Sequence, residues 1–253
     1  MDFIIYNQIA KCYGPVSHAG DTVLTRPIIL AIKNNFPELN ITLQFNKKYH
    51  YLFQDLGFPI KEDEEIKGHS YNAWFGCHND ILLTHGMTYL NQLCSFNRQM
   101  ETQHLSLRLP QKEEHPMLNF PPDELLPIIQ NGILIENGPC FTNQTCIDIN
   151  SLIPKLVNDF KEYNFYTSAD SINASNLHSC KEENLIRISN LSNLCLALIT
   201  RGSGVNAACY TEKNKNKKRA FIGWTCSYRL WDNKFINCIS YDDLYAFMKS
   251  LKG

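Results

Sequence analysis

Two stretches of the chain combine residue types and spacings that could do chemistry. The first is Leu198-Ile199-Thr200-Arg201-Gly202-Ser203-Gly204-Val205-Asn206-Ala207-Ala208, an apolar strand that runs into Gly-Ser-Gly and then into small helix formers. Glycines past the carboxyl end of a parallel strand let backbone N–H groups approach a ligand closely. A helix that follows opens with unpaired N–H groups and the positive end of its dipole. Phosphate is the ligand such an arrangement favours, and Arg201 could add a two-pronged charged contact. The plainer reading of the same residues is a tight strand-to-helix turn with Arg201 in solvent.

The second stretch is Ser17-His18-Ala19-Gly20-Asp21-Thr22. Asp21 stands where an N-cap belongs, because a carboxylate can accept the unpaired N–H groups of a first helical turn. Facing an open cleft, the same carboxylate could instead take a proton from a substrate hydroxyl. His18 is the competing base, with an intrinsic pKa nearer neutrality.

Other constellations point less directly to chemistry. The ten cysteines contain no Cys-x-x-Cys pair of the kind that structural zinc sites use, and free thiols are expected. Adjacent Cys77-His78 has no useful thiolate–base geometry by itself. His69, His78 and His85 are expected to be ordinary surface or core residues, so no metal site is assigned. Any one of Trp74, Trp224 and Trp231 could stack on a sugar or base, but packing is the commoner role. Asp63-Glu64-Glu65 reads as a solvated acidic turn.

The elements that must position these residues alternate between β and α patterns. In the first half, strands are expected at Phe3 to Ile9, Ile41 to Phe45 and Ile81 to Thr84. Helices are expected at Asp21 to Asn35, with Pro27 kinking it or marking its true start, at Tyr49 to Leu56 closed by Gly57, and at Thr88 to Met100. Residues Arg108 to Pro127 carry five prolines and break the rhythm, as a connector would. The alternation then resumes. Strands are expected at Gly132 to Glu136, Asn164 to Thr167, Leu185 to Ile188, Ala197 to Thr200 and Ala220 to Gly223. Helices are expected at Asn150 to Phe160, Ser192 to Leu196, Gly202 to Tyr210 and Tyr241 to Leu251. This order predicts an α/β protein of two Rossmann-like domains facing a cleft, residues 1–122 and 123–253.

Composition removes several function classes. The 253 residues are 44% hydrophobic and 19% charged, the balance of a globular protein. A formal charge of −1 leaves no surplus for phosphate-backbone binding, so no nucleic-acid partner is expected. The basic run Lys213 to Arg219 is interrupted by Asn and reads as a solvated loop. Apolar runs such as Leu194 to Ile199 fall far short of the ~20 residues a bilayer span needs. Membrane contact is expected to be peripheral at most. Met1-Asp2-Phe3-Ile4-Ile5-Tyr6 has no basic n-region and reads as a first strand rather than a signal peptide, and a cytoplasmic location is expected.

Taken together, the two chemical stretches resemble the heptosyltransferase-like glycosyltransferases, glycosyltransferase family nine. The family's first domain carries a Gly-Asp that opens a helix, followed by a Pro. Here Gly20-Asp21-Thr22-Val23-Leu24-Thr25-Arg26-Pro27 leads on to Ala31-Ile32-Lys33 and Phe36-Pro37-Glu38-Leu39-Asn40-Ile41. The family's second domain has a Ser-Gly turn, an Ala-rich helix and a strand ending in Phe-Gly-x-Thr. Here Ser203-Gly204 and Ala207-Ala208 precede Phe221-Ile222-Gly223-Trp224-Thr225. Arg201-Gly202 stands where the family usually has an Asp, and Asn206 where a His is common. The Lys of the loop after the first strand of that domain has no counterpart in Gly138 to Gln144, where Thr142 and Asn143 offer hydrogen bonds instead.

The resemblance implies a GT-B fold and an inverting reaction without metal or other cofactor. It implies a nucleotide-sugar donor on the second domain and a glycan or glycolipid acceptor. Carried onto this sequence, Asp21 is the base, with His18, Gly20 and Thr22 beside the acceptor. Gly138, Thr142, Asn143, Arg201, Gly202, Ser203, Gly204, Val205 and Asn206 hold the donor. A protein that binds the nucleotide or nucleotide-sugar without turning it over is the alternative.

Overall fold

The computed structural model describes residues 1–10, 14–15, 19–62, 65–85, 87–112, 116–138, 147–223 and 235–252. The chain divides into two compact units, Met1–Leu118 and Asn119–Gly253.

In the first unit, β1 (Asp2–Tyr6) leads to the short antiparallel pair β2 (Gln8–Ala10) and β3 (Gly14–Pro15). Helices α1 (Ala19–Val23) and α2 (Arg26–Asn35) come next, then β4 (Asn40–Gln44), β5 (Ile60–Lys61) and β6 (Ser70–Asn72). Helices α3 (Asn79–His85) and α4 (Tyr89–Thr102) follow. The four longer-range strands form a parallel sheet in the order β5-β4-β1-β6, so the chain crosses back over β1 to reach β6. Phe3, Ile5, Ile41, Leu43 and Tyr71 bury completely or nearly so, and Phe96 of α4 packs edge-on against Phe3 and Tyr71.

The open edge of β6 is covered by side chains. Gln99 of α4 and Gln103, the residue that caps its carboxyl end, each bond both backbone groups of a β6 residue. Asn72 N–H donates to Gln99 Oε1 at 2.8 Å, and Gln99 Nε2 donates back to Asn72 O at 3.0 Å. Gln103 does the same for Ser70, at 3.0 and 2.7 Å. Helical spacing of four and strand spacing of two bring the same faces together, and an edge that could pair with another chain is closed.

The second unit contains β7 (Gly132–Ile135), α5 (Ile149–Asp159), β8 (Asn164–Thr167), β9 (Leu177–Ser179), α6 (Leu185–Leu194) and β10 (Ala197–Thr200). It ends with α7 (Gly204–Ala208), β11 (Lys218–Ile222), β12 (Ile236–Cys238) and α8 (Tyr241–Ser250). Its strands are all parallel, in the order β12-β11-β10-β7-β8-β9. Numbered within the unit, that is the dinucleotide-binding order 3-2-1-4-5-6, with the reversal of direction between β7 and β10. On one face Ile133, Ile135, Phe165, Ala197, Ile199 and Ile222 meet α5 and α8. Since β7 and β10 are buried at every residue, they carry continuous apolar runs rather than an alternation.

Several expectations are corrected. Ile81 to Thr84 lies in helix α3, where only Ile81 is buried and Leu83 points to solvent. A short apolar run cannot distinguish the two structures by itself. Leu185 to Ile188 is the first turn of α6, capped by Asn184, whose side chain accepts Arg187 N–H at 3.0 Å; Ser192 to Leu196 begins as the last turn of that helix. The span Asp21 to Asn35 is two helices, because Thr25 turns its hydroxyl back to Thr22 O at 2.7 Å and Pro27 stands in the first turn of α2. Asp21 is therefore no N-cap: it lies inside α1, which already starts at Ala19. Tyr49 to Leu56 is two short 3₁₀ stretches, and Gly57 closes them with a left-handed φ of 71°.

Candidate functional site

The carboxyl ends of β7 and β10 are where an open parallel sheet of this order receives a ligand. In the second unit they place Glu136 beside Arg201. Glu136 is 3% exposed and Arg201 is 6% exposed. Glu136 Oε2 accepts the Arg201 backbone N–H at 3.3 Å, and the nearby Ser203 hydroxyl favours the ionised carboxylate. Arg201 Nε is 3.9 Å from Glu136 Oε1, beyond hydrogen-bond reach. Both Nε and Nη2 of Arg201 are buried without a partner. Burial pushes the Glu136 carboxyl up to about 7, against the Ser203 hydroxyl, the Arg201 charge and the Arg201 N–H, all of which favour its ionised form.

The Gly-Ser-Gly turn follows directly. Gly202 is buried, while Ser203, Gly204 and Val205 are half-buried. Ser203 caps α7 by accepting Asn206 N–H at 3.2 Å. Asn206, buried, accepts the Thr200 hydroxyl at 3.0 Å and so ties the turn to β10. Neither Gly202 nor Gly204 takes a positive φ, so the backbone shape does not demand glycine at either position. At five residues α7 is short, and the loop amides count for more here than a helix dipole.

The end of β7 is locked to the end of β8. Asn137 and Gly138 donate their N–H groups to Ser168 Oγ at 3.1 and 3.3 Å. The Asn137 side chain accepts Ala169 N–H at 2.7 Å and donates to Asp170 O at 3.0 Å. The Gly138 N–H is thus engaged within the protein. Thr142 and Asn143 lie outside the described residues.

In the first unit Asp21 is 7% exposed, with Gly20 and Thr22 buried beside it in α1. Burial, and secondarily the nearby charge of Asp21, raises the Tyr49 phenol to about 12. His18 lies outside the described residues, as do Trp224 and Trp231. Trp74 is half-buried and donates its backbone N–H to Asn72 Oδ1 at 3.2 Å. The free thiols Cys195 and Cys209 are buried, and burial pushes each to about 12, as expected of small apolar residues rather than nucleophiles. Among the described residues no group of three His, Cys, Asp or Glu could hold a metal ion, and no helix is long and apolar enough to cross a membrane.

Two residues escaped the sequence reading. Glu136 was legible only as the end of a strand, although a lone acid directly after Ile133-Leu134-Ile135 is a usable signal. Asn7, just past β1, is 2% exposed and neither polar atom of its side chain has a partner.

Two successive Rossmann-like units of this kind define a GT-B-like fold, and solved structures carry it through nearly the whole chain. The E. coli heptosyltransferase WaaC with ADP is 10% identical, with a TM-score of 0.53 over 99% of this chain and 97% of its own. A glycosyltransferase of family nine from Veillonella parvula is 12% identical, with a TM-score of 0.52 over 99% and 88%. A putative UDP-N-acetylglucosamine 2-epimerase from Listeria monocytogenes is 9% identical, with a TM-score of 0.57 over 99% and 87%. The resemblance to heptosyltransferase-like proteins is therefore met in the fold. No family model and no curated protein sequence matches the chain.

Proposed function

We propose that this protein is a glycosyltransferase that moves a sugar from a nucleotide-sugar donor to a hydroxyl of a glycan or glycolipid acceptor, with inversion and without a metal. The observation that carries the reading is the Arg201 guanidinium, buried at the sheet's reversal point with two unpartnered N–H groups. Buried polar groups are nearly always bonded, so an open pair next to the Gly202 to Val205 amides suits an oxyanion. Two structures of the E. coli neighbour hold ADP and a fluorinated ADP-heptose, ligands of the class proposed here.

In this reading the acceptor oxygen attacks the anomeric carbon from the side opposite the leaving group. The bond to the diphosphate breaks, and its electrons leave with the diphosphate. Arg201 and the turn amides stabilise the charge that develops there, the task a metal performs elsewhere. Asp21 takes the proton of the attacking hydroxyl, with Gly20, Thr22 and His18 beside the acceptor. Gly138, Thr142, Asn143, Ser203 and Asn206 complete the donor side. The reaction would run in the cytoplasm, with peripheral contact to any membrane that carries the acceptor.

Thermal melting against ADP, UDP, GDP and CDP tests the donor half, since a ligand of the native state raises its apparent stability. A rise confined to one base supports the reading and names the donor class; no rise with any of them removes it. Burial of Asp21 favours a second reading, a nucleotide-sugar binding protein without turnover. Stable donor binding without transfer to any acceptor would select it.

A further inference from the structure

We infer that the Glu136 carboxylate is a built-in anion occupying part of the diphosphate place, so that the donor binds together with one proton taken up by Glu136. The inference rests on the donor reading above and adds a coupling to it. Glu136 already holds one of the donors that the turn after β10 offers, the Arg201 N–H, and the Ser203 hydroxyl nearby favours its ionised form. It does not satisfy the Arg201 side chain. Nε and Nη2 lie on one edge of the guanidinium and form the fork that matches a carboxylate or phosphate, and both remain open. A phosphate on that fork would sit beside an ionised carboxylate in a nearly dry site, where two like charges cannot both persist.

Proton uptake removes the conflict. The carboxylate takes one proton from solvent, becomes neutral and turns from acceptor into a hydrogen-bond donor towards the phosphate. The groups facing Glu136 are Arg201 past β10, Ser203 at the start of α7 and the Cys209 thiol past its end. Asn137 and Ser168, on the β7 and β8 sides, are uncharged. No other charged side chain of the described residues acts on it. Its elevated titration point puts the exchange near neutral pH, within reach of experiment.

Isothermal titration of the full chain with ADP and UDP, in buffers of different ionisation enthalpy, reads the protons directly. At pH 8, where the nucleotide phosphates are already fully ionised, the wild-type protein takes up about one proton per nucleotide bound. Glu136→Gln takes up none at pH 8 and binds there roughly tenfold more tightly than wild type. Binding without uptake, or uptake that persists in Glu136→Gln, overturns the inference and leaves the donor reading standing. If neither nucleotide binds wild type or variant at any pH, the donor reading falls and this inference with it. The wild-type proton count decides the matter even if the variant does not fold.

Discussion

Arg201 and Glu136 are joined through the Arg201 main chain, whose N–H reaches Glu136 Oε2 at 3.3 Å, while the guanidinium stays 3.9 Å from Oε1. The main-chain bond fixes where the turn after β10 begins. The side chain, with two N–H groups unspent, is left for something else. A closed ion pair would have used both groups at once.

The first consequence concerns stability against pH. Burial raises Glu136 from an ordinary carboxylate value to about 7 in the folded protein. The folded state then binds more protons than the unfolded state between about pH 4.5 and 7, so the stability contributed by this group is full below that window and lost as pH rises through it. The loss is on the order of 3 kcal/mol. Glu136→Gln removes this titration. Urea unfolding at pH 5 and pH 8 should show the variant gaining on wild type at the higher pH.

Arg201→Ala should weaken nucleoside diphosphate binding by about 1–3 kcal/mol, the scale of hydrogen bonds to charged groups. It also leaves Glu136 buried without a counter-charge, which costs about 3 kcal/mol of stability when Glu136 is ionised. The destabilisation should shrink at pH 5.5, where the carboxyl is neutral. Calorimetric binding at constant pH separates the two effects.

Asp21→Asn keeps size and shape and removes the base. Transfer should fall by about two to four orders of magnitude, with the affinity for the donor nucleotide nearly unchanged. Equal turnover in the variant returns Asp21 to a structural role beside Tyr49.

Gln99 and Gln103 offer a test away from the site. Each bonds both backbone groups of one residue on the β6 edge. Replacing both with Ala should cost about 2–4 kcal/mol, at roughly 1 kcal/mol per hydrogen bond. The bared edge should also promote self-association, visible by light scattering; a monomer of unchanged stability would show that the glutamines do not protect the edge.

Legibility in the sequence followed burial. Gly132 to Ile135 and Ala197 to Thr200 bury every residue and so stand out as apolar runs. Tyr241 to Leu251 is clear because one face of α8 packs Leu244, Phe247 and Met248 into the core. Ile81 to Thr84 misled because a run of that length fits either period. The strands β9 and β12 carry mostly exposed residues and little apolar signal. Arg201 and the turn after it were visible as a candidate cradle. Its partner was not, because Glu136 is 65 residues away and becomes a neighbour only once β7 and β10 pair.

The most direct test of the central claim is a crystal structure of the protein with the nucleoside diphosphate that raises its melting temperature most. The diphosphate should lie past the carboxyl end of β10, with oxygens about 3 Å from Arg201 Nε and Nη2 and from amides of Gly202 to Val205. A nucleotide bound elsewhere, with the Arg201 fork still empty or closed onto Glu136, would contradict it.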